Sequence, residues 1–251
     1  MKKFHQTIMH SVLNEYIGMR SNLGLMVVFY MIQFFKLKDI LELGFYEGKT
    51  FGIMLEATQP HSNLITVDIK FRMDLYNRHY ANSIVTKDKK INFVNMSSLD
   101  FVSDTKFDFI LVDVGSKPHN TCPEDELLYV DENDIQTRYQ DMVHASKLLT
   151  DQGILMVDGY RKYPKAIEDF LKCDHQLVPF LMDNQAVYFH NLNHDAGEFL
   201  DVFLEQTLPQ EFVSTYNIEY HGHTVKHLDP RPIYIETKNT LFKTYCILED
   251  L

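Results

Sequence analysis

The stretch Asp39-Ile40-Leu41-Glu42-Leu43-Gly44-Phe45-Tyr46-Glu47-Gly48-Lys49-Thr50 constrains this chain more than any other. An apolar run closes on an acid, two glycines follow four residues apart, and a segment with helical spacing comes next. A strand that turns directly into a helix needs glycine where the backbone takes positive φ or must approach a ligand closely. The helix then aims its free N–H groups into the same crevice. Such a corner belongs to an α/β sheet that binds a nucleotide or nucleoside at its strand tips. Three ligand classes compete for it. A phosphate-binding P-loop needs four residues between its first glycine and Gly-Lys-Thr. Gly44 leaves three before Gly48, and Glu47 repels phosphate. A dinucleotide loop wants G-x-G-x-x-G, and Tyr46 fills its second glycine position. A cationic nucleoside without phosphate is the third class, and there an acid such as Glu42 is welcome.

Further acids close the later apolar runs. Pro60 stops the helix that follows the corner, and Leu64-Ile65-Thr66-Val67-Asp68 reads as a buried strand. Asp68 lies 20 residues beyond Gly48, the distance at which such folds place an acid for the ribose hydroxyls. The other use of an acid at a strand end is as a turn-former or helix cap. Residues 91–95 form a third strand and run into Met96-Ser97-Ser98-Leu99-Asp100. Residues 107–113 are a fourth, ending in Asp113 where substrate meets cofactor in this topology. Residues 135–149 predict a helix with Tyr139, Met142, Val143, Ala145 and Leu148 on one side. Asp151-Gln152-Gly153 predicts a turn, and residues 154–158 a fifth strand ending in Asp158. A hairpin over 176–181 and 185–190 completes the sheet. Residues 116–132, with two prolines and little periodicity, read as a loop over the site or a surface insertion.

The corner, E-L-G-F-Y-E-G-K-T, resembles motif I of the class I S-adenosylmethionine-dependent methyltransferases. More narrowly, it is similar to the E-x-G-x-x-x-G-x-S/T variant of small O-methyltransferases in the methyltransferase-24-like group. The segment L-L-T-D-Q-G-I-L-M-V-D-G-Y likewise looks like the family's L-L-x-x-G-G-x-x-x-x-D-D/N-Y, so the resemblance spans roughly residues 38–190. It implies a Rossmann-like doubly wound α/β sheet of seven strands, mostly parallel with one antiparallel edge strand. N-terminal helices and a C-terminal α+β extension flank that sheet. It also implies S-adenosylmethionine as cofactor, held by Glu42, Gly44, Tyr46, Gly48, Asp68, Ser97, Ser98 and Asp113. Asp113, His119 and Asp158 are the implied catalytic residues, with Tyr46 and Tyr160 lining the site.

Three departures stand out. Ser97 occupies the place where the family usually carries an acid for the adenine, and Met96 is placed to press on the base. The usual Gly-Asp-His after the fourth strand becomes Val114-Gly115-Ser116-Lys117-Pro118-His119, which makes His119 a displaced counterpart. In metal-dependent members the fourth-strand acid, the fifth-strand acid and the next residue bind Mg²⁺. Asp113 and Asp158 match two of these, and Gly159 offers no side-chain ligand at the third. The expected activity is methyl transfer to an oxygen, or less readily a nitrogen, of a small molecule. DNA base methylation is disfavoured because the fourth strand runs into D-V-G-S rather than D/N-P-P-Y/F. A donor-binding scaffold without catalysis, and a nucleotide-dependent enzyme using Gly48-Lys49-Thr50, stay open as alternatives.

Whole-chain numbers set outer bounds. The 251 residues are 45% hydrophobic, enough for one α/β core with an appendage. A net charge of −11 disfavours nucleic acid and anionic membranes as partners. The basic strips Lys87-Asp88-Lys89-Lys90 and Arg161-Lys162-Tyr163-Pro164-Lys165 read as solvated turns. Cys122, Cys173 and Cys246 are widely spaced and fit reduced thiols in a cytoplasmic protein. The apolar run Leu23–Phe35 is too short to cross a bilayer and reads as a buried helix capped by Asn22. Phe4, Ile8, Val12, Leu13, Tyr16 and Ile17 predict an amphipathic helix before it. Three divisions follow: 1–37 as helices serving as a lid or a homo-oligomer face, 38–190 as the donor-binding domain, and 191–251 as an extension. The extension is expected to hold a helix over 199–208 and two or three strands over 218–248. His221, His223 and His227 read as a polar strand face rather than a metal site, for want of an acid or thiol at ligand spacing.

Overall fold

The structure, a computed structural model, describes residues 3, 6–8, 23–114, 132–173, 177–183, 186–191, 196–203, 213–230, 232–237 and 240–245. β1 (Asp39–Leu43) lies between β2 (Asn63–Asp68) and β4 (Phe107–Val112), parallel to both. β3 (Lys90–Asn95) flanks β2, and β5 (Leu149–Asp158) flanks β4, again parallel. β7 (Ala186–Asn191) runs antiparallel between β5 and β6 (Leu177–Met182). Beyond β6 the sheet continues through β9 (His223–Pro230) to β8 (Val213–Tyr220). Among the described residues the order is β3-β2-β1-β4-β5-β7-β6-β9-β8, nine strands where the resemblance implies seven. The antiparallel β7 is therefore interior, and the β8–β9 hairpin of the extension carries the sheet onward. β10 (Pro232–Thr237) and β11 (Thr240–Tyr245) pair in a separate two-stranded sheet.

Both faces of the sheet are covered, which is why its central strands are apolar throughout rather than alternating. Ile40, Leu64, Phe109, Leu111, Ile154 and Met156 face one cluster, with α1 (Leu23–Phe35) and α2 (Lys49–Ala57) packed on it. Leu41, Leu43, Ile110, Val112, Leu155 and Val157 face the other, covered by α4 (Glu132–Leu148) and α5 (Pro164–Leu171). α3 (Asp74–His79) follows β2, and α6 (Gly197–Val202) contributes Phe199 to the first cluster.

Two local expectations change. The turn foreseen at Asp151-Gln152-Gly153 is part of β5, and the pairing with β4 slips there, from Phe107↔Leu149 to Phe109↔Ile154. The polar residues form a bulge, while Gly153 fits tightly because a Cβ on it would come 2.7 Å from the Leu149 side chain. The buried side of α4 is also more polar than its apolar periodicity suggested: Asp134, Arg138 and Asp141 are buried along with Met142, Ala145 and Leu148. The helix expected over residues 1–20 lies almost wholly outside the described residues, as do Asn22, Cys122 and Cys246.

Candidate functional site

A period of two along each strand decides where the acids emerge. Glu42 shares its face of β1 with Ile40, Asp68 follows Leu64 and Thr66, Asp113 follows Phe109 and Leu111, and Asp158 follows Ile154 and Met156. All four carboxylates thus stand at the carboxyl ends of adjacent parallel strands, on the face that carries α1 and α2. Between β1 and β4 the strand order reverses, the switch point at which open α/β sheets bind ligands.

The glycine corner is shaped by close approach. Gly44 has φ 99°, donates its N–H to the Val67 carbonyl at 2.9 Å, and would put a Cβ 2.3 Å from the Asp113 carbonyl oxygen. Gly48 has φ 76° at the start of α2, where a Cβ would come 2.4 Å from the Phe45 ring. Phe45 itself packs against Phe51, Phe71 and Phe93 at 5.2–5.7 Å between ring centres. Gly44→Ala is expected to cost about 3 kcal/mol or more, from a strained φ and an overlap with backbone that cannot move away. Chemical denaturation monitored by far-UV circular dichroism measures it.

Asp68 holds this corner closed. Its Oδ2 accepts the N–H groups of Phe45 at 2.8 Å and Tyr46 at 3.0 Å, and its Oδ1 accepts that of Lys70 at 2.8 Å. Tyr46, at φ 49°, is secured by Arg72, which donates to the phenol oxygen at 3.1 Å and lies 4.6 Å from the ring centre. Lys49 pairs with Glu47 at 3.2 Å, so the cation a P-loop would aim at phosphate is engaged by a carboxylate.

Glu42 is 1% exposed, and its Oε2 accepts the Thr66 hydroxyl at 2.8 Å. Burial pushes its carboxyl well above the usual carboxylate range; the Thr66 hydrogen bond works against this, and the charges of Asp113 and Asp68 add to it. Asp113 and Asp158 are hydrogen-bonded to each other, although Asp113 keeps an edge open to solvent. Burial and then the charge of Asp113 raise the Asp158 carboxyl well above the usual carboxylate range. Arg138, 3% exposed, stands behind the pair. It donates through Nη1 to the Val112 carbonyl at 2.9 Å and through Nη2 to that of Val114 at 2.6 Å, with its guanidinium 4.7 Å from the Tyr163 ring centre.

This donor set does not fit magnesium. Among the described residues no three His, Cys, Asp or Glu side chains come together as a metal-holding group, and Gly159 supplies nothing. Arg138 and Lys162 already place positive charge beside the two carboxylates. Among the described residues no such group includes His221, His223 or His227, and His227 is stacked on Tyr216 at 5.0 Å.

At the third strand tip Ser97 and Ser98 part company. Ser97 accepts the Leu99 N–H at 3.3 Å and starts a 3₁₀ turn, Ser98–Asp100. Ser98 is buried and donates to Asp141 at 2.6 Å, so its hydroxyl is turned into the protein rather than toward a ligand. The exposed apolar side chains here are Ile69, Met96 and Leu99, at 73%, 38% and 36%. Asn95 bonds the carbonyls of Asp68 and Ile69 at 3.1 and 2.8 Å, tying the second tip to the third. His119 and residues 115–131 lie outside the described residues. The basic strips are engaged locally: Lys89 donates to the Leu55 carbonyl, and Lys165 pairs with Asp169 at 2.8 Å.

No family model matches the sequence, and no curated protein matches it either. Solved structures do. A Klebsiella pneumoniae protein assigned as an O-methyltransferase superposes with TM-score 0.51 at 11% identity, over 74% of this chain and 90% of that one. A Staphylococcus aureus protein assigned as a caffeoyl-CoA O-methyltransferase gives TM-score 0.50 at 17% identity, over 74% and 94%. The cofactor-bound protein Rv0187 from MTB gives TM-score 0.51 at 10% identity, over 74% and 87%. The fold is that of the class I methyltransferases. Its seven-strand order is β3-β2-β1-β4-β5-β7-β6 here, and the β8–β9 hairpin is added beyond it. No helix among the described residues is long and apolar enough to cross a membrane.

Arg138, Thr66, Arg72 and Asp141 were not anticipated as parts of the site. A signal existed for two of them: Asp134, Arg138 and Asp141 recur at helical spacing beside Met142 and Ala145, a charged line within an apolar stripe.

Proposed function

We propose that this chain is an S-adenosylmethionine-dependent methyltransferase acting on an oxygen of a small molecule. One observation carries the proposal: Glu42, Asp68, Asp113 and Asp158 converge at the switch point of a methyltransferase fold, around a corner whose lysine is tied to Glu47. A site rich in carboxylates repels phosphate and suits a sulfonium and an ammonium.

In this proposal the loop from Gly44 to Gly48, with Tyr46, lies along the donor. Asp68 takes the ribose with oxygen lone pairs left over from the loop bonds. Ile69, Met96 and Leu99 flank the adenine, with Ser97 at its edge. The backbone of Ser98, rather than its hydroxyl, completes that edge.

Methyl transfer from a sulfonium is an in-line displacement with an activated leaving group, so the protein chiefly orients the reactants and excludes water. The acceptor O–H gives its proton to Asp113, the oxygen forms a bond to the methyl carbon, and the carbon–sulfur bond breaks to leave a neutral thioether. Asp158 holds Asp113 in place through their hydrogen bond, and the pair loses one negative charge as Asp113 takes the proton. His119 stands in the segment that would close over this reaction, residues 1–37 would lid it, and residues 191–251 would border the acceptor side.

A thermal-shift panel tests the core of the proposal. S-adenosylmethionine and S-adenosylhomocysteine are expected to raise Tm, by about 1–3 kcal/mol of linked stabilisation at ligand well above Kd. ATP and NAD are expected to leave it unchanged. Stabilisation by ATP alone sinks the proposal.

A further inference from the structure

The long sheet has a seam between β6 and β9. The two strands run parallel, but among the described residues they pair only at Leu181↔Lys226 and Met182↔His227. Pro179 lies just before the first of these rungs, where the pairing of β6 with β7 also slips. Proline brings no N–H to a ladder, so the pairing starts late and the amino ends of β6 and β9 stay apart. A cavity of about 400 Å³ lies at this seam, lined from β6, β7, β8, β9 and α6. The added hairpin builds one side of it and the methyltransferase sheet the other. The cavity is remote from the acidic strand tips. Val178 in its lining pairs with His190, and His190 with Ile154, four residues and about 13 Å before Asp158 along β5.

Its lining has two characters. Phe180 and Leu200 give it apolar sides, and the His190 ring meets that of Phe180 edge to face at 5.0 Å. Lys226, His223 and Asn217 bring nitrogen donors. Lys226 is half-buried at the rung where pairing begins, with Asn217 opposite it on β8. Glu219 brings a carboxylate nearby and accepts the hydroxyl of Thr224, another lining residue, at 2.8 Å. A half-buried ammonium gains most from an anion that carries its own apolar body. The ion pair then forms where water is partly excluded, and the body covers Phe180 and Leu200. One ammonium matches one negative charge, and Glu219 opposes a second. We propose that the seam cavity is a binding site for a small organic carboxylate, held by Lys226 and seated on Phe180 and Leu200. The site is separate from the methyl-donor site and does not depend on the reaction proposed there.

Titration calorimetry with 2-naphthoate, and with 2-naphthamide as its uncharged twin, tests the site. One naphthoate is expected to bind per chain, and naphthamide at least about tenfold more weakly, the loss of a charged hydrogen bond. Saturating S-adenosylhomocysteine is expected to leave both affinities unchanged. Lys226→Met should bring naphthoate down to the naphthamide affinity, and Lys226→Arg should keep the preference for the anion. Lys226→Glu should turn the preference toward 2-naphthylmethylammonium. Nuclear Overhauser contacts from the naphthalene ring to Phe180 and Leu200 are expected in the unaltered protein, and they locate the probe without any substitution. Several results overturn the site: no naphthoate binding at millimolar concentration, equal binding of naphthoate and naphthamide, or displacement of naphthoate by S-adenosylhomocysteine. Wild-type naphthoate affinity in a folded Lys226→Met does so too, as do Overhauser contacts that miss both Phe180 and Leu200.

Discussion

Replacing Arg138 with methionine is expected to lower stability by about 3 kcal/mol or more, the largest effect of any single exchange of a polar side chain in this site. Methionine fills the volume but leaves the Val112 and Val114 carbonyls without the donors that now reach them at 2.9 and 2.6 Å. It also removes the cation facing Asp113 and Asp158 from behind. Arg138→Lys keeps the charge and loses the fork, so its cost should fall between wild type and methionine. Urea denaturation of the three proteins measures the series. A methionine variant with the wild-type midpoint means that Arg138 does not hold the end of β4. Because Asp113 stands between the two clamped carbonyls, donor affinity should fall in the same order as stability.

Asp68→Ala is expected to weaken donor binding about 100-fold, near 2.7 kcal/mol, through two losses at once. The ribose loses its carboxylate, and the N–H groups of Phe45, Tyr46 and Lys70 lose their common acceptor. Asp68→Asn separates the two. Its remaining oxygen can serve the loop at Phe45 and Tyr46, so most stability should return while affinity stays low. Titration calorimetry on both variants, beside their denaturation curves, reports the two effects independently. If alanine and wild type bind the donor alike, Asp68 is purely a loop fastener.

The strands were legible because each is an apolar run closing on an acid or amide, and burial on both faces writes that pattern plainly: Leu64 to Asp68 and Phe107 to Asp113 carried it without ambiguity. The glycine corner was legible for a similar reason, since at Gly44 and Gly48 backbone conformation restricts the residue type. What stayed hidden depends on contacts across the sequence. Ser97 and Ser98 look equivalent in the chain, yet Ser98 finds Asp141, 43 residues away, and turns inward. Arg138 looks like a solvated helix residue until the strand end it clamps is in place. From the sequence the tail reads as an added edge, a dimer arm or part of a substrate lid, because local alternation reveals a strand but not its neighbour; β9 extends the edge at β6 through tertiary packing. Magnesium followed from two matching acids; the cations beside them, brought in by α4 and the turn after β5, could not be seen from those positions alone.

The parallel pairing of β6 with β9 has a consequence for how the molecule is made. In synthesis β6 emerges before α6, β8 and β9, so its outer rim of backbone donors and acceptors goes uncovered while the rest is translated. The nascent chain therefore passes through a stage in which β1 to β7 are complete but one flank is open to strand addition. Among the described residues it is the β8–β9 hairpin that seals it, which makes this late step of assembly the one most exposed to association with another chain.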